Sequence, residues 1–341
     1  MTGDLPEAAY YHALNLGFQA DYGRLSILRS EDPNWHSAWK RSGAKVPADK
    51  EWRKLSETGV RLVLREDPEF PVLLREIPSP PWGLYVRGTL PKDTETCVAI
   101  VGTRKATEEG KEAARGFARG LARAGISVVS GLALGIDAAA EEGALAAGGR
   151  TYAVLANGLS EWYPRTNGRL GDRLLQAGGG ALSEYPPGGP ALPYRFLARN
   201  RIISGLCRGT LILEAPLRSG SLNTARFALE QNREVWAVPG PYRHPNYAGS
   251  HELIRQGAAL ATDPAQILAD LGFTPPATEL SPEEELVLEL LARAGSPLEV
   301  DKIIELTNLR IQTVSQALGL LAIKNMVREV GSGYVIQKNA Q

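Results

Sequence analysis

The sequence predicts an α/β protein: a doubly wound, Rossmann-like parallel sheet with a helical N-terminal domain of SAM or helix-hairpin-helix type and a C-terminal winged helix. Three observations predict it. From Thr96 onward, continuous apolar runs alternate with helix-like stretches, successive runs starting roughly 25 residues apart, as in a parallel sheet covered on both faces. A Pro-rich junction at 77–91 and a Pro-containing acidic linker around 273–284 bracket that series. After the linker come three helical segments and a Gly-Ser-Gly turn between alternating apolar positions, the order of a winged helix.

The expected domains are 1–80, 81–274 and 280–341. In the first, EAAYYHALNLGF and ADYGRLSILRS are short amphipathic helix candidates, followed by an aromatic stretch with Trp35, Trp39 and Trp52. A strand, Leu84 to Arg87, lies in the junction. In the second domain CVAIVG leads into a helix over 108–124, ISVVSG into one over 137–147, and TYAVLANG into one over 165–177. ALSEYP, a helix near 199–206, TLILEA, a helix over 222–231 and EVWAVPG continue the alternation, and short helices at 251–255 and 264–271 close it. The third domain carries helices over 284–294, 300–306 and 311–325 before VREVGSGYVIQ.

Composition narrows the function classes. At 43% hydrophobic and 22% charged, 341 residues make an ordinary globular chain of two or three domains. Two cysteines exclude a disulfide framework, and four histidines, at 12, 36, 244 and 251, lack metal-ligand spacing, so neither metal nor cofactor is expected and a cytoplasmic setting is. No targeting or membrane-spanning segment is expected. Lys and Arg number 38, as do Asp and Glu, so total charge does not point to nucleic acid and the placement of charge must.

Ligands of open α/β sheets bind beyond the carboxyl ends of the strands. There the sequence places Gly102-Thr103-Arg104-Lys105, then Gly131 through Gly135 and Asp137, then Ser219-Gly220-Ser221 with Thr224. Small residues, hydroxyls and cations at helix starts bind phosphate through free N–H groups and the helix dipole. Asp137 taken alone reads as a helix N-cap and the glycines as tight turns; three such loops together point to a phosphate-bearing ligand. No dinucleotide fingerprint, Walker motif or Gly-x-Ser-x-Gly elbow is present. Glu184 and Glu214 follow strand ends, where buried or pairing carboxylates are commoner than catalytic ones.

Between Ala191 and Arg243 stand eight arginines, no lysine and three glutamates, a net of +5 in a chain that sums to zero. Tyr194, Phe196, Tyr242 and Tyr247 are interleaved with them, and aromatic faces beside guanidiniums hold single-stranded bases. Residues 279–341 hold nine acids against six bases, so the winged helix is expected to contact protein or regulate rather than grip DNA.

The ordered motifs VAIVGTRKAT, SGLALGID, AVLANGL, ALSEYPPG, FLARNRIISGL, LILEA, SGSLNTARFALEQNREVWAVPGP and SHELIRQGA resemble the DNA processing protein A (DprA/Smf) family over about 97–260. The stretch 59–88 resembles its entry segment, and the terminal modules resemble its variable SAM-like and winged-helix accessories. The resemblance implies a non-catalytic single-stranded DNA-binding protein of natural transformation that shields incoming DNA, helps load a RecA-type recombinase, and forms a homodimer through the Rossmann-like domain. It implies DNA contacts by Arg104, by Gly220, Ser221 and Thr224, and by Arg195, Phe196, Arg199, Asn200 and Arg201. Lys105, Gly131 and Gly135 join them as phosphate-site candidates. The alternative is a LOG-like phosphoribohydrolase, but Thr224 stands where that family's catalytic Glu belongs.

Overall fold

The computed structural model describes residues 5–273, 280–324 and 326–337, and divides into two compact units, Met1–Phe273 and Thr274–Gln341. The first unit opens with helices α1 (Glu7–Gly17), α2 (Tyr22–Glu31), α3 (Trp35–Ser42) and α4 (Ala48–Ser56). Strand β1 (Arg61–Leu64), the short helix α5 (Val72–Arg75) and β2 (Gly83–Gly88) follow. The alternating series then runs β3 (Cys97–Gly102), α6 (Glu108–Arg123), β4 (Ser127–Ser130), α7 (Ile136–Ala146), β5 (Thr151–Leu155), α8 (Gly168–Gln176), β6 (Gly180–Ser183) and α9 (Pro193–Gly205). It ends with β7 (Gly209–Leu213), α10 (Ser221–Glu230), β8 (Glu234–Ala237), α11 (Ala248–Arg255), β9 (Ala259–Leu260) and α12 (Pro264–Asp270).

The nine strands form one sheet in the order β1-β2-β6-β5-β4-β3-β7-β8-β9. The seven from β6 to β9 are parallel, while β2 runs antiparallel to β6 and β1 antiparallel to β2. From β3 the chain steps to β4 on one side and later returns to place β7 on the other. This reversal opens a crevice beyond the carboxyl ends of β3 and β7.

Side chains alternate across the sheet, so each strand feeds two cores. Ala99, Val101, Val129, Val154, Leu182 and Ile212 face α5, α9, α10 and α11 on one side. Val98, Ile100, Val128, Leu211 and Trp236 face α6, α7 and α12 on the other. The N-terminal helices prolong that second layer: Tyr11, Leu14, Leu25, Trp35 and Leu55 pack with Leu62, Leu64, Tyr85, Ala153 and Ala181. The stretch to about residue 80, expected to be helical, therefore contains a strand. In Arg-Leu-Val-Leu the period-2 alternation sends Leu62 and Leu64 to the helices and Val63 to the opposite core.

A polar network ties α1 to the sheet. His12 Nδ1 lies 2.7 Å from the Tyr85 hydroxyl, and the Asn15 amide donates to that hydroxyl and to the Glu184 carbonyl. Among the described residues no helix is long and apolar enough to cross a membrane.

The second unit holds α13 (Pro282–Ala294), β10 (Leu298–Glu299), α14 (Val300–Thr307), α15 (Ile311–Ile323), β11 (Val327–Val330) and β12 (Gly333–Ile336), with strand order β10-β12-β11. Ser281 and Glu284 form a capping box at the start of α13, and Val287, Leu291, Ile303, Val314, Leu318, Leu321 and Val327 fill its core. This is the expected winged helix. Its third helix, α15, carries no charged residue.

Burial pushes the His12 imidazole down to about 4, so it is neutral in the folded protein at pH 7. A depressed folded value makes the unfolded chain the better proton binder between about 6.5 and 4, so stability is lost as the pH drops through that window, by roughly 3 kcal/mol when complete. His12→Gln is expected to flatten this limb in urea melts taken from pH 7 to pH 4.

Candidate nucleic-acid interface

An open cavity of about 660 Å³ occupies the crevice beyond β3 and β7. Five segments line it: Gly102–Arg104 at the end of β3, Ala133 and Asp137 around the start of α7, Tyr163 after β5, Phe196, Leu197, Arg199 and Asn200 of α9, and residues between Pro216 and Thr224 leading into α10. Each loop begins where an apolar strand ends, because the strand buries both faces and only its end meets solvent.

The β3 loop is held by Glu214, which is fully buried. Its backbone carbonyl accepts from the Thr103 N–H at 2.8 Å, and its carboxylate accepts from the Thr107 N–H at 2.9 Å and from the Thr107 hydroxyl. Thr107 is also the N-cap of α6, its hydroxyl accepting from Gly110 N–H. Between these pins Arg104 is exposed, with its guanidinium 4.7 Å from the centre of the Phe196 ring and no ion pair to any described residue. The centre of the Tyr163 ring stands 5.6 Å from that of Phe196, tilted by 55°. Arg218, Ser219 and Ser221 face the cavity from the β7 loop; the two serine hydroxyls lie 2.7 Å apart. α10 opens there with Gly220 as its N-cap: the Ser221 N–H donates to the Ser219 hydroxyl at 3.3 Å, the Leu222 and Asn223 N–H groups donate to the Ser219 and Gly220 carbonyls at 3.2 Å, and the positive end of the helix dipole faces the cavity.

Beneath this surface lies Arg199, 4% exposed. It donates to the carbonyls of Gly131 and Val154 at the ends of β4 and β5, and to the Asn200 side chain. Burial lowers its pKa to about 10, which leaves it charged at neutral pH. Burial raises Asp137, against the pull of Arg199, and raises Glu141 strongly.

The structure brings Arg104, Phe196, Arg199, Asn200, Gly220, Ser221 and Thr224 to the cavity. Lys105 is exposed beside it, outside the lining. Gly131 and Gly135 shape it from behind. A Cβ at Gly131 would meet the Arg199 guanidinium at 2.5 Å, and one at Gly135, whose φ is +81°, would meet the Thr103 carbonyl at 2.3 Å. Arg195 and Arg201 do not reach the cavity. Arg195 donates to the carbonyls of Pro190 and Gln19, and Arg201 to both carboxylate oxygens of Glu184 at 2.7 and 2.8 Å. Neither Glu184 nor Glu214 is free to act as acid or base, since each already holds these donors. Ser219 was read from sequence only as part of the loop after β7 and Arg218 only as one of eight arginines, and Tyr163 was not read as a site residue at all. The Trp-Tyr-Pro stretch carries no phosphate signature, and its place at the cavity follows from the loop after β5.

Residues 61–272 match the family model for DNA recombination-mediator protein A, and residues 272–333 match that of the DprA winged helix domain. The chain belongs to the DNA recombination-mediator protein A family. Protein Smf of Escherichia coli is 40% identical over 298 residues, 84% of this chain and 80% of that protein. The X-ray structure of DNA processing protein A (DprA) from Streptococcus pneumoniae superposes with a TM-score of 0.62 at 35% identity, over 78% of this chain and 94% of that one. DprA of Helicobacter pylori, described for its single-stranded DNA-binding mode, has a TM-score of 0.54 at 30% identity over 62% of this chain and 95% of its own. DprA-family membership agrees with the fold and with the motif order.

The two loop residues separate cleanly in their expected energetics. Glu214→Ala strands the Thr107 donors and should cost about 1–3 kcal/mol in urea denaturation. Arg104→Ala removes an exposed side chain and should stay within about 0.5 kcal/mol.

Proposed function

We propose that this chain binds single-stranded DNA at the β3/β7 cavity, as a recombination mediator acting on DNA taken up in transformation rather than as an enzyme. The observation that carries the reading is Arg104 held over the Phe196 ring beside the start of α10, which sets a phosphate fork, a stacking face and the positive end of a helix dipole around one opening. Arg218 and Lys105 extend the positive rim. Tyr163 adds a second aromatic edge. Such a surface grips phosphates and base faces and has little with which to read base edges, so the reading calls for weak sequence preference. The family supports the finer roles: shielding of the strand, delivery to a RecA-type recombinase, and a homodimer formed through the sheet domain. The phosphoribohydrolase alternative is not favoured, since Thr224 is 1% exposed and both nearby glutamates are engaged.

Fluorescence anisotropy with labelled single- and double-stranded oligonucleotides across a salt series tests the reading. Single strands are expected to bind in preference to duplex. Arg104→Ala should weaken single-strand binding by about 1–3 kcal/mol and reduce the salt slope by about one phosphate equivalent. Equal affinity for duplex, or an Arg104→Ala variant with wild-type isotherms and slope, sinks the assignment.

A further inference from the structure

None of α1 to α4 lines the cavity, yet this layer touches the helix that does. Arg195, near the start of α9, is 3% exposed, with the Tyr185 ring centre 4.3 Å from its guanidinium. It donates to the Pro190 carbonyl at 3.0 Å and, from its other Nη, to the Gln19 carbonyl at 3.0 Å. Gln19 lies in the α1–α2 turn, where Gln19 and Ala20 both adopt left-handed backbone, φ +54° and +61°. Side-chain-bearing residues hold such angles only where surrounding contacts enforce them. The Ala20 N–H returns to the Asn15 carbonyl at 2.8 Å and locks the turn. Asn15 donates to the Glu184 carbonyl, Glu184 pairs with Arg201, and the Arg201 guanidinium lies 5.4 Å from the Tyr22 ring at the start of α2. The α1–α2 turn thus meets both ends of the arginine series on α9.

We propose that the N-terminal helices position the DNA site, with Arg195 as the positioning residue that couples the α1–α2 turn to α9. The inference rests on the single-strand reading of the cavity. Arg195, 3% exposed and beside the Tyr185 ring, cannot swing out to a phosphate without leaving that pocket and giving up its bonds to the Pro190 and Gln19 carbonyls, so its effect on binding is geometric. Phe196 is the next residue, and the stacked Arg104 moves with its ring; Arg199 follows one helical turn later. A shift at the start of α9 is therefore a shift of the stacking face and of the buried guanidinium together.

The test uses the full chain, a labelled oligothymidylate across a salt series, and hydrogen exchange of the first turn of α9. Arg195→Gln removes both carbonyl contacts. Gln19→Pro removes no charge and lies outside the cavity, but proline cannot take φ +54° and the turn must move. Both variants are expected to raise Kd about threefold to tenfold with the salt slope unchanged, and to speed exchange at the start of α9. Arg195→Lys, able to keep one carbonyl, should recover part of the affinity. If Arg195→Gln lowers the slope by one phosphate equivalent while Gln19→Pro binds normally, Arg195 is a DNA contact and the proposal is wrong. Unchanged exchange in Arg195→Gln overturns it as well, even should Gln19→Pro fail to fold. Should the wild-type chain ignore the oligonucleotide, the single-strand reading falls, and the exchange data alone still decide whether the turn holds α9.

Discussion

The arrangement of the cavity depends on one buried carboxylate. Glu214 sits at the end of β7 with φ +40° and no exposure, and its donors come from two loops: the Thr103 and Thr107 amides and the Thr107 hydroxyl of the β3–α6 loop, and the Asn246 side chain of the loop after β8. Three donors reach the carboxylate, and the start of α6 faces it with a positive dipole end. The pin leaves Arg104 on a loop clamped on both sides of it, with a free side chain on a fixed backbone. Gly110 completes the fit, since a Cβ there would stand 2.4 Å from the Glu214 carboxylate. A glutamate at a strand end in a phosphate site invites a catalytic reading, and the hydrogen bonds assign it structural work instead.

The arginines divide by the same logic. α9 places Arg195 and Arg199 on one stripe, four residues apart, turned inward onto backbone carbonyls. Tyr194 and Leu197 fall on the opposite side and are 60% and 47% exposed. This inverts the usual rule of apolar inside and charged outside. It works because the carboxyl ends of β4 and β5 and the 185–190 loop present carbonyl oxygens in need of donors, which a guanidinium supplies and a hydrocarbon does not. Of the eight arginines between Ala191 and Arg243, three are buried, Arg208 is exposed at the amino end of β7, opposite the cavity, Arg226 pairs with Glu230, Arg233 donates to the Leu73 carbonyl and Arg243 lies beside Tyr242. Arg218 is left at the rim with no partner among the described residues. The positive count overstated the charge available to a ligand.

What was legible in the sequence follows from what each signal encodes. Continuous apolar strands between helices can only be a covered parallel sheet, and the loops after β3 and β7 then had to meet at the reversal of strand order. The winged helix was legible from its own alternation around Gly331. The face of the first two turns of α9 was not, because there the buried side is marked by arginines, and the apolar Ile202 and Ile203 come only later in the helix. The strand at Arg61–Leu64 was missed because four residues beside helical segments carry too little alternation to stand out. Nor did the N-terminal stretch disclose its partner: amphipathic helices announce that a face will be buried without naming the surface that buries it.

That partner explains how the first unit holds together around its site. Tyr11, Leu14 and Trp35 seal the part of the sheet formed by β1, β2, β6 and β5, which α6 and α7 leave uncovered, so the N-terminal helices are part of one core. The antiparallel β1–β2 pair gives them the strand face they need and also closes the edge of β6. Once those helices are packed, their first turn falls against the carboxyl end of β6 and the start of α9, where Asn15 and Gln19 offer the donor and acceptor that Glu184 and Arg195 require. The same hydrophobic requirement that covers the sheet thus delivers polar contacts to the rim of the cavity. Packing and cavity geometry are one constraint here, since the hydrogen bonds of the far helix layer end on the helix whose residues line the cavity.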